Sequence, residues 1–87
     1  MKNFIKNKTC LTTKLEGRMI ILDTETGIYF ETNETGTLIW DLLSRSKSRE
    51  KIIEKIMMEF NTPEDVIIRD VDNFLSICIK KGLISVE

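Results

Sequence analysis

At Asn33 the hydrophobic period of this chain changes from two residues to about 3.6, and that switch divides the sequence into a sheet-forming third and a helical remainder. Before it, Leu11, Thr13 and Leu15 alternate with Thr12 and Lys14. Glu16-Gly17 then punctuates the chain, and Arg18 to Asp23 is an aliphatic run through Met19, Ile20, Ile21 and Leu22. The polar loop Thr24-Glu25-Thr26-Gly27 closes on glycine, as a hairpin connection should. Ile28-Tyr29-Phe30-Glu31-Thr32 supplies a third strand, so the economical reading is a three-stranded antiparallel meander.

After the switch, Asn33 is a good N-cap with Glu34 at the positive end of a helix. Leu38, Ile39, Leu42 and Leu43 form its buried stripe, and Gly36, one turn before Trp40, leaves room for the indole. Arg45 to Arg49 is a polar connection with Ser48 as the next N-cap. The second helix carries Ile52, Ile53, Ile56, Met57 and Phe60 at helical spacing. Thr62 is expected to cap the third helix, with Pro63 in its first position. That helix runs to Lys81 and stops at Gly82. Leu83, Ile84 and Val86 form an apolar tail that packs on the core or adds a short strand.

Three strands followed by three helices make an α+β, winged helix-turn-helix-like arrangement. At 87 residues the chain is expected to be a single domain over 1–87, with 1–8 as a flexible segment.

Composition narrows the chemistry. The chain has no histidine, which removes the usual general base and the commonest metal ligand. Cys10 and Cys78 are far apart and form no zinc-type spacing, so both are expected as core thiols. No glycine-rich phosphate loop is present. A catalytic role, a cofactor and a metal are therefore not expected. The N-terminal stretch has only Phe4 and Ile5 as an apolar pair, and no run approaches the ~20 residues of a membrane span. A cytosolic location follows as an expectation.

A winged helix usually binds DNA, with its third helix in the groove. Here that helix carries Glu64, Asp65, Asp70 and Asp72, which would repel phosphate, and the net charge is −1. The basic cluster Arg45, Lys47, Arg49 and Lys51 reads as a solvated connection. Neither nucleic acid nor membrane is expected as a partner.

Two features point to a peptide instead. The third helix has one stripe of Ile67, Val71, Phe74 and Cys78, and a second of Ile68, Leu75 and Ile79 with Asp72 among them. The third strand ends the meander with an edge that no proline, lysine or bulge blunts. An open edge beside an apolar helix can capture an extended peptide as an added strand.

The residues also resemble a known family. Ile21-Leu22-Asp23, the loop closing at Gly27, Tyr29-Phe30-Glu31 and Asn33-x-x-Gly36-x-x-x-Trp40 are similar to the front half of PqqD-like proteins. Asp70-Val71, Phe74-Leu75 and Gly82-Leu83-Ile84 are similar to their end. The resemblance spans roughly Leu11 to Ile84. Its Asn-Glu-Thr-Gly-x-x-Ile-Trp stretch looks more like the stand-alone elements of lasso-peptide clusters than like the pyrroloquinoline-quinone protein. Thr32 departs from the leucine common in the family and is expected to weaken one core contact.

The resemblance implies a precursor-peptide recognition element of ribosomal peptide biosynthesis. Such a domain binds a leader peptide and delivers it to a separate leader peptidase, cyclase or radical enzyme. It implies a peptide site formed by the edge of Ile28, Tyr29, Phe30, Glu31 and Thr32, with Ile68, Asp72, Leu75 and Ile79 lining the groove from the helix. The alternatives are a generic protein adaptor and a winged-helix transcriptional regulator, the latter on fold analogy alone.

Overall fold

The computed structural model describes residues 3–46 and 48–87, so Met1, Lys2 and Lys47 lie outside the described residues. The element order is β1 (Phe4–Lys6), β2 (Cys10–Leu15), β3 (Arg18–Asp23), β4 (Tyr29–Thr32), α1 (Glu34–Leu42), α2 (Arg49–Glu59), α3 (Glu64–Lys80) and β5 (Ile84–Val86). β2, β3 and β4 form the expected antiparallel meander, in that order. The α+β architecture read from the sequence is the one observed.

The N-terminal segment departs from expectation. Phe4 to Lys6 forms a strand that pairs antiparallel with β5, Phe4 opposite Val86 and Lys6 opposite Ile84. Phe4 is buried in the core, which gives the strand its anchor. The apolar tail thus does become a strand, and its partner is β1 rather than β4. This detail matters most for the site: β4 pairs only with β3, and its other edge stays uncovered.

Side-chain alternation sorts the meander into two faces. Met19, Ile21, Phe30 and Thr32 point toward the helices, and Leu11, Leu22 and Tyr29 point away. On the inner side Met19 and Ile21 are fully buried against Ile39, Ile52, Ile56, Val71 and Cys78. Thr32, expected to weaken the core, is buried with its hydroxyl satisfied. Its Oγ1 donates to the Met19 carbonyl at 3.3 Å and lies 2.6 Å from Thr37 Oγ1.

The helix ends follow local chemistry. Asn33 and Ser48 cap α1 and α2 through their side chains, accepting from the N–H of Gly36 and Lys51. Thr62 does not cap α3. Pro63 occupies the cap with no side-chain bond, and its carbonyl takes the N–H groups of Val66 and Ile67. At the far end Gly82 adopts a φ of 76°, and Leu83 N–H returns to the Cys78 carbonyl at 2.8 Å. That is a Schellman closure, which a left-handed residue makes inexpensive only for glycine.

Trp40 is buried as expected, with the Lys6 ammonium 4.9 Å above its ring. Gly36, however, makes room for a different side chain. A Cβ there would stand 3.0 Å from Cδ1 and Cε1 of Phe74 and 3.1 Å from Cβ of Thr32. The missing side chain lets α3 and β4 close on α1. Because Thr32 Cβ sits on a paired strand, it cannot yield freely. We expect Gly36→Ala to lose about 1–2 kcal/mol despite the better helix propensity of alanine. Urea unfolding checks this, and a higher midpoint in the variant would refute the close-approach assignment.

Candidate functional site

The pairing of β3 with β4 decides which backbone groups face outward. Gly27, at φ 76°, and Ile28 form a glycine bulge opposite Asp23: Gly27 N–H reaches the Asp23 carbonyl at 2.9 Å, and Asp23 N–H reaches the Ile28 carbonyl at 2.8 Å. From that hydrogen-bonded pair the ladder alternates. Phe30 and Thr32 therefore turn their backbone toward Ile21 and Met19, and Tyr29 and Glu31 turn theirs to the open edge. Of the five strand residues expected to bind, two offer N–H and C=O groups to a ligand. Phe30 offers a side chain, Thr32 is buried, and Ile28 belongs to the bulge.

Beside the edge lies a groove of about 290 Å³, lined by Phe30, Thr32, Gly36, Ile39, Phe74 and Ile77 along its floor and walls. Phe30 and Phe74 meet with ring centroids 6.0 Å apart and planes tilted by 42°. Glu31, Asn33, Thr35, Asp70 and Asn73 form a polar rim. The volume is at the lower edge of small-molecule sites and suits a large side chain rather than a cofactor. Polar rim and apolar floor beside free backbone groups are what an extended peptide requires.

The helix wall of this groove is not the one expected. Ile68, Asp72, Leu75 and Ile79 do not line it. Leu75 is buried at 3% exposure, and Asp72 turns toward α2, where Arg49 donates to its two carboxylate oxygens at 2.6 and 3.0 Å. Those bonds hold the Asp72 carboxyl below the usual carboxylate range and raise the Arg49 guanidinium. The core stripe of α3 has a flank on either side. One faces α2, and the other, Asp70, Asn73 and Ile77, faces β4. The sequence carried one hint of this: Ile77 belongs to neither apolar stripe, and it stays 39% exposed. Arg49, from the basic cluster, is a structural partner of Asp72 rather than a free cation.

The remaining reactive groups are subdued. Burial pushes the Cys78 thiol up to about 12, and burial likewise raises Cys10, so neither is poised as a nucleophile. Among the described residues no three acidic or cysteine side chains are grouped to hold a metal ion. No helix among them is long and apolar enough to cross a membrane.

Residues 18–84 match the family described as Coenzyme PQQ synthesis protein D (PqqD). The chain belongs to the PqqD family. Among curated proteins none matches it. The solved structure described as TbiB1 in complex with the TbiA(beta) leader peptide superposes on this PqqD-family chain with a TM-score of 0.83. The two are 26% identical, over 93% of this chain and 94% of that one. A second, described as lasso peptide synthetase B1 complexed with the leader peptide, has a TM-score of 0.81 at 19% identity, covering 95% and 98% of the two chains. The second likeness establishes the fold.

The two flanks of α3 make separate demands on stability. We expect Ile77→Asp to shift stability by no more than about 0.5–1 kcal/mol, because that side chain is already partly solvated. Leu75→Asp should cost about 3 kcal/mol or more by burying a carboxylate without a partner. Urea midpoints for the two variants measure the difference, and similar midpoints would overturn the flank assignment.

Proposed function

We propose that this domain captures the leader segment of a ribosomally synthesised precursor peptide as an added antiparallel strand on β4 and delivers it to separate processing enzymes. The observation that carries this reading is the uncovered β4 edge, with the backbone groups of Tyr29 and Glu31 facing outward beside the Phe30–Phe74 groove. Two like-folded proteins are described as bound to leader peptides, one of them a lasso peptide synthetase component, which favours a lasso-type pathway. The domain itself contributes binding rather than catalysis: it has no histidine, and burial raises both thiols. The receiving enzyme is a leader peptidase, cyclase or radical enzyme working in the cytoplasm.

The division of labour follows from the geometry. Backbone hydrogen bonds along Tyr29 and Glu31 accept almost any sequence and give affinity. Selectivity comes from the one large side chain that enters the groove. Capture of a single strand buries a small interface, consistent with a Kd between about 10 nM and 10 μM. Affinity in that range lets the domain hold a leader and still release it to the next enzyme.

The test titrates a synthetic leader peptide of a lasso-type precursor into labelled protein. Amide shifts should cluster on Tyr29 to Thr32 and on Asp70 to Ile77. Glu31→Pro removes one outward N–H and places ring atoms at the edge, where an edge strand tolerates proline. It should retain the fold by circular dichroism and weaken binding at least about tenfold. Shifts confined to the Arg45 to Arg49 connection, or full affinity in Glu31→Pro, would refute strand capture on β4.

A further inference from the structure

The groove is electrically polarised along its length. Phe74 lies against Gly36 and near Phe30, and so marks the middle of the groove. Two turns toward the C-terminus of α3, the Lys81 ammonium stands 5.7 Å from the centre of the Phe30 ring. One turn toward the N-terminus, Asp70 lies on the groove rim that Asn33 also lines. The helix therefore runs opposite to β4, with its negative group at the Thr32 end and its positive group at the Tyr29 end. Neither charge is paired among the described residues, whose ion pairs are Lys14–Asp41, Arg18–Glu31 and Arg49–Asp72. The other carboxylate on the rim, Glu31, is held by Arg18.

A strand added antiparallel to β4 runs in the same direction as α3. Its N-terminal part meets Asp70 first, and its C-terminal part meets Lys81. We propose that the groove selects extended segments that read basic, then apolar, then acidic from N- to C-terminus, and that this charge order fixes the direction in which the strand is captured. The inference rests on strand capture at β4 and adds the chemistry of what is captured. Asp70 and Lys81 are separated by about 16 Å of helix at ~1.5 Å per residue. At ~3.3 Å per strand residue that distance is about five residues. Side chains on one face of a strand recur every second residue, so the spacing becomes four or six. Lys81 reaches over Phe30 toward the middle of the groove, which favours four. The recognised pattern is thus a lysine or arginine at one position, a large apolar side chain two residues later, and a glutamate or aspartate two residues after that.

Directional control is worth having at such a site. Backbone hydrogen bonds along a sheet edge are made by parallel and antiparallel strands alike. A peptide captured backwards would present the wrong end to an enzyme acting next to the leader. Opposite charges at the two ends of the groove penalise that arrangement, because reversal brings like charges together at both ends.

Two blocked 12-residue peptides of identical composition test this. One carries Lys, Tyr and Glu at positions i, i+2 and i+4, and the other has the Lys and Glu exchanged. Each is titrated into labelled protein, with the amides of Tyr29 to Thr32 reporting the site. The forward peptide should bind about five- to tenfold more tightly at low salt, and most of that advantage should vanish in 0.5 M salt. A nitroxide at its N-terminus should broaden the Asn33 amide and spare Ile28. The double variant Asp70→Lys with Lys81→Glu, the first at an exposed position and the second at a half-buried one, should reverse the preference. Equal affinities with β4 shifts would overturn charge-directed capture and leave strand capture standing. An unchanged preference in the double variant would also overturn it. Absence of β4 shifts with both peptides would overturn strand capture and this inference together.

Discussion

The close approach of α1 to α3 at Gly36 is the contact on which the rest of the site depends. With no Cβ in the way, the Phe74 ring rests on the α1 backbone and reaches Phe30 from beneath the sheet. This packs α3 along β4 without covering its edge. A bulkier residue at 36 would push Phe74 outward into the space a ligand side chain needs. The same contact that completes the core therefore sets the depth of the groove, and stability and binding share one steric constraint.

Around that contact the fold keeps its sheet edges in different states. The edge strand β1 ends beside β5, and β2 is followed at once by the Glu16–Gly17 turn into β3. The edge of β4 is exposed with alternating groups: backbone from Tyr29 and Glu31, side chain from Phe30. The Gly27 bulge sets that phase, because it fixes which residues of β4 turn inward. Without the extra residue the ladder would shift by one, and Tyr29 and Glu31 would face the core. The loop is held by Asp23, whose carboxylate accepts from the Thr9 hydroxyl at 2.7 Å and the Glu25 N–H at 3.0 Å. The Thr9 hydroxyl is the main reason its carboxyl stays below the ordinary range.

Much of this was legible in the sequence, for physical reasons that also explain the failures. The meander and the three helices were readable because their signals are local: alternation, caps, and a glycine in each hairpin turn. β1 was not readable, since three residues cannot establish a period and their partner lies at the other end of the chain. The edge of β4 was inferred correctly, while the helix wall beside it was placed on the wrong flank. A helix in a small core has neighbours on both sides of its buried stripe, and Ile68, Leu75 and Ile79 looked equally suited to either. The ion pair of Asp72 with Arg49 shows which side they occupy, and that pairing between distant residues has no sequence signature. Gly36 was recognised as a place of close packing, but its occupant was taken to be Trp40 in the same helix rather than Phe74 from another. Short-range spacing suggests short-range partners, and here the long-range one prevailed.

The pairing of β1 with β5 has a mechanical consequence. Asn3 and Glu87 exchange backbone hydrogen bonds at 3.1 and 2.9 Å, so both ends of the described chain leave the domain at one point. Tension between those ends would open the β1–β5 ladder one rung at a time, starting at Asn3, as a zipper opens. A peptide lying along β4 is loaded differently, since a pull along its length strains every rung of its ladder together. The domain therefore yields readily at its ends, whereas a strand added along β4 would resist. A tug transmitted through a terminal tether would loosen the small sheet before it disturbed a captured strand.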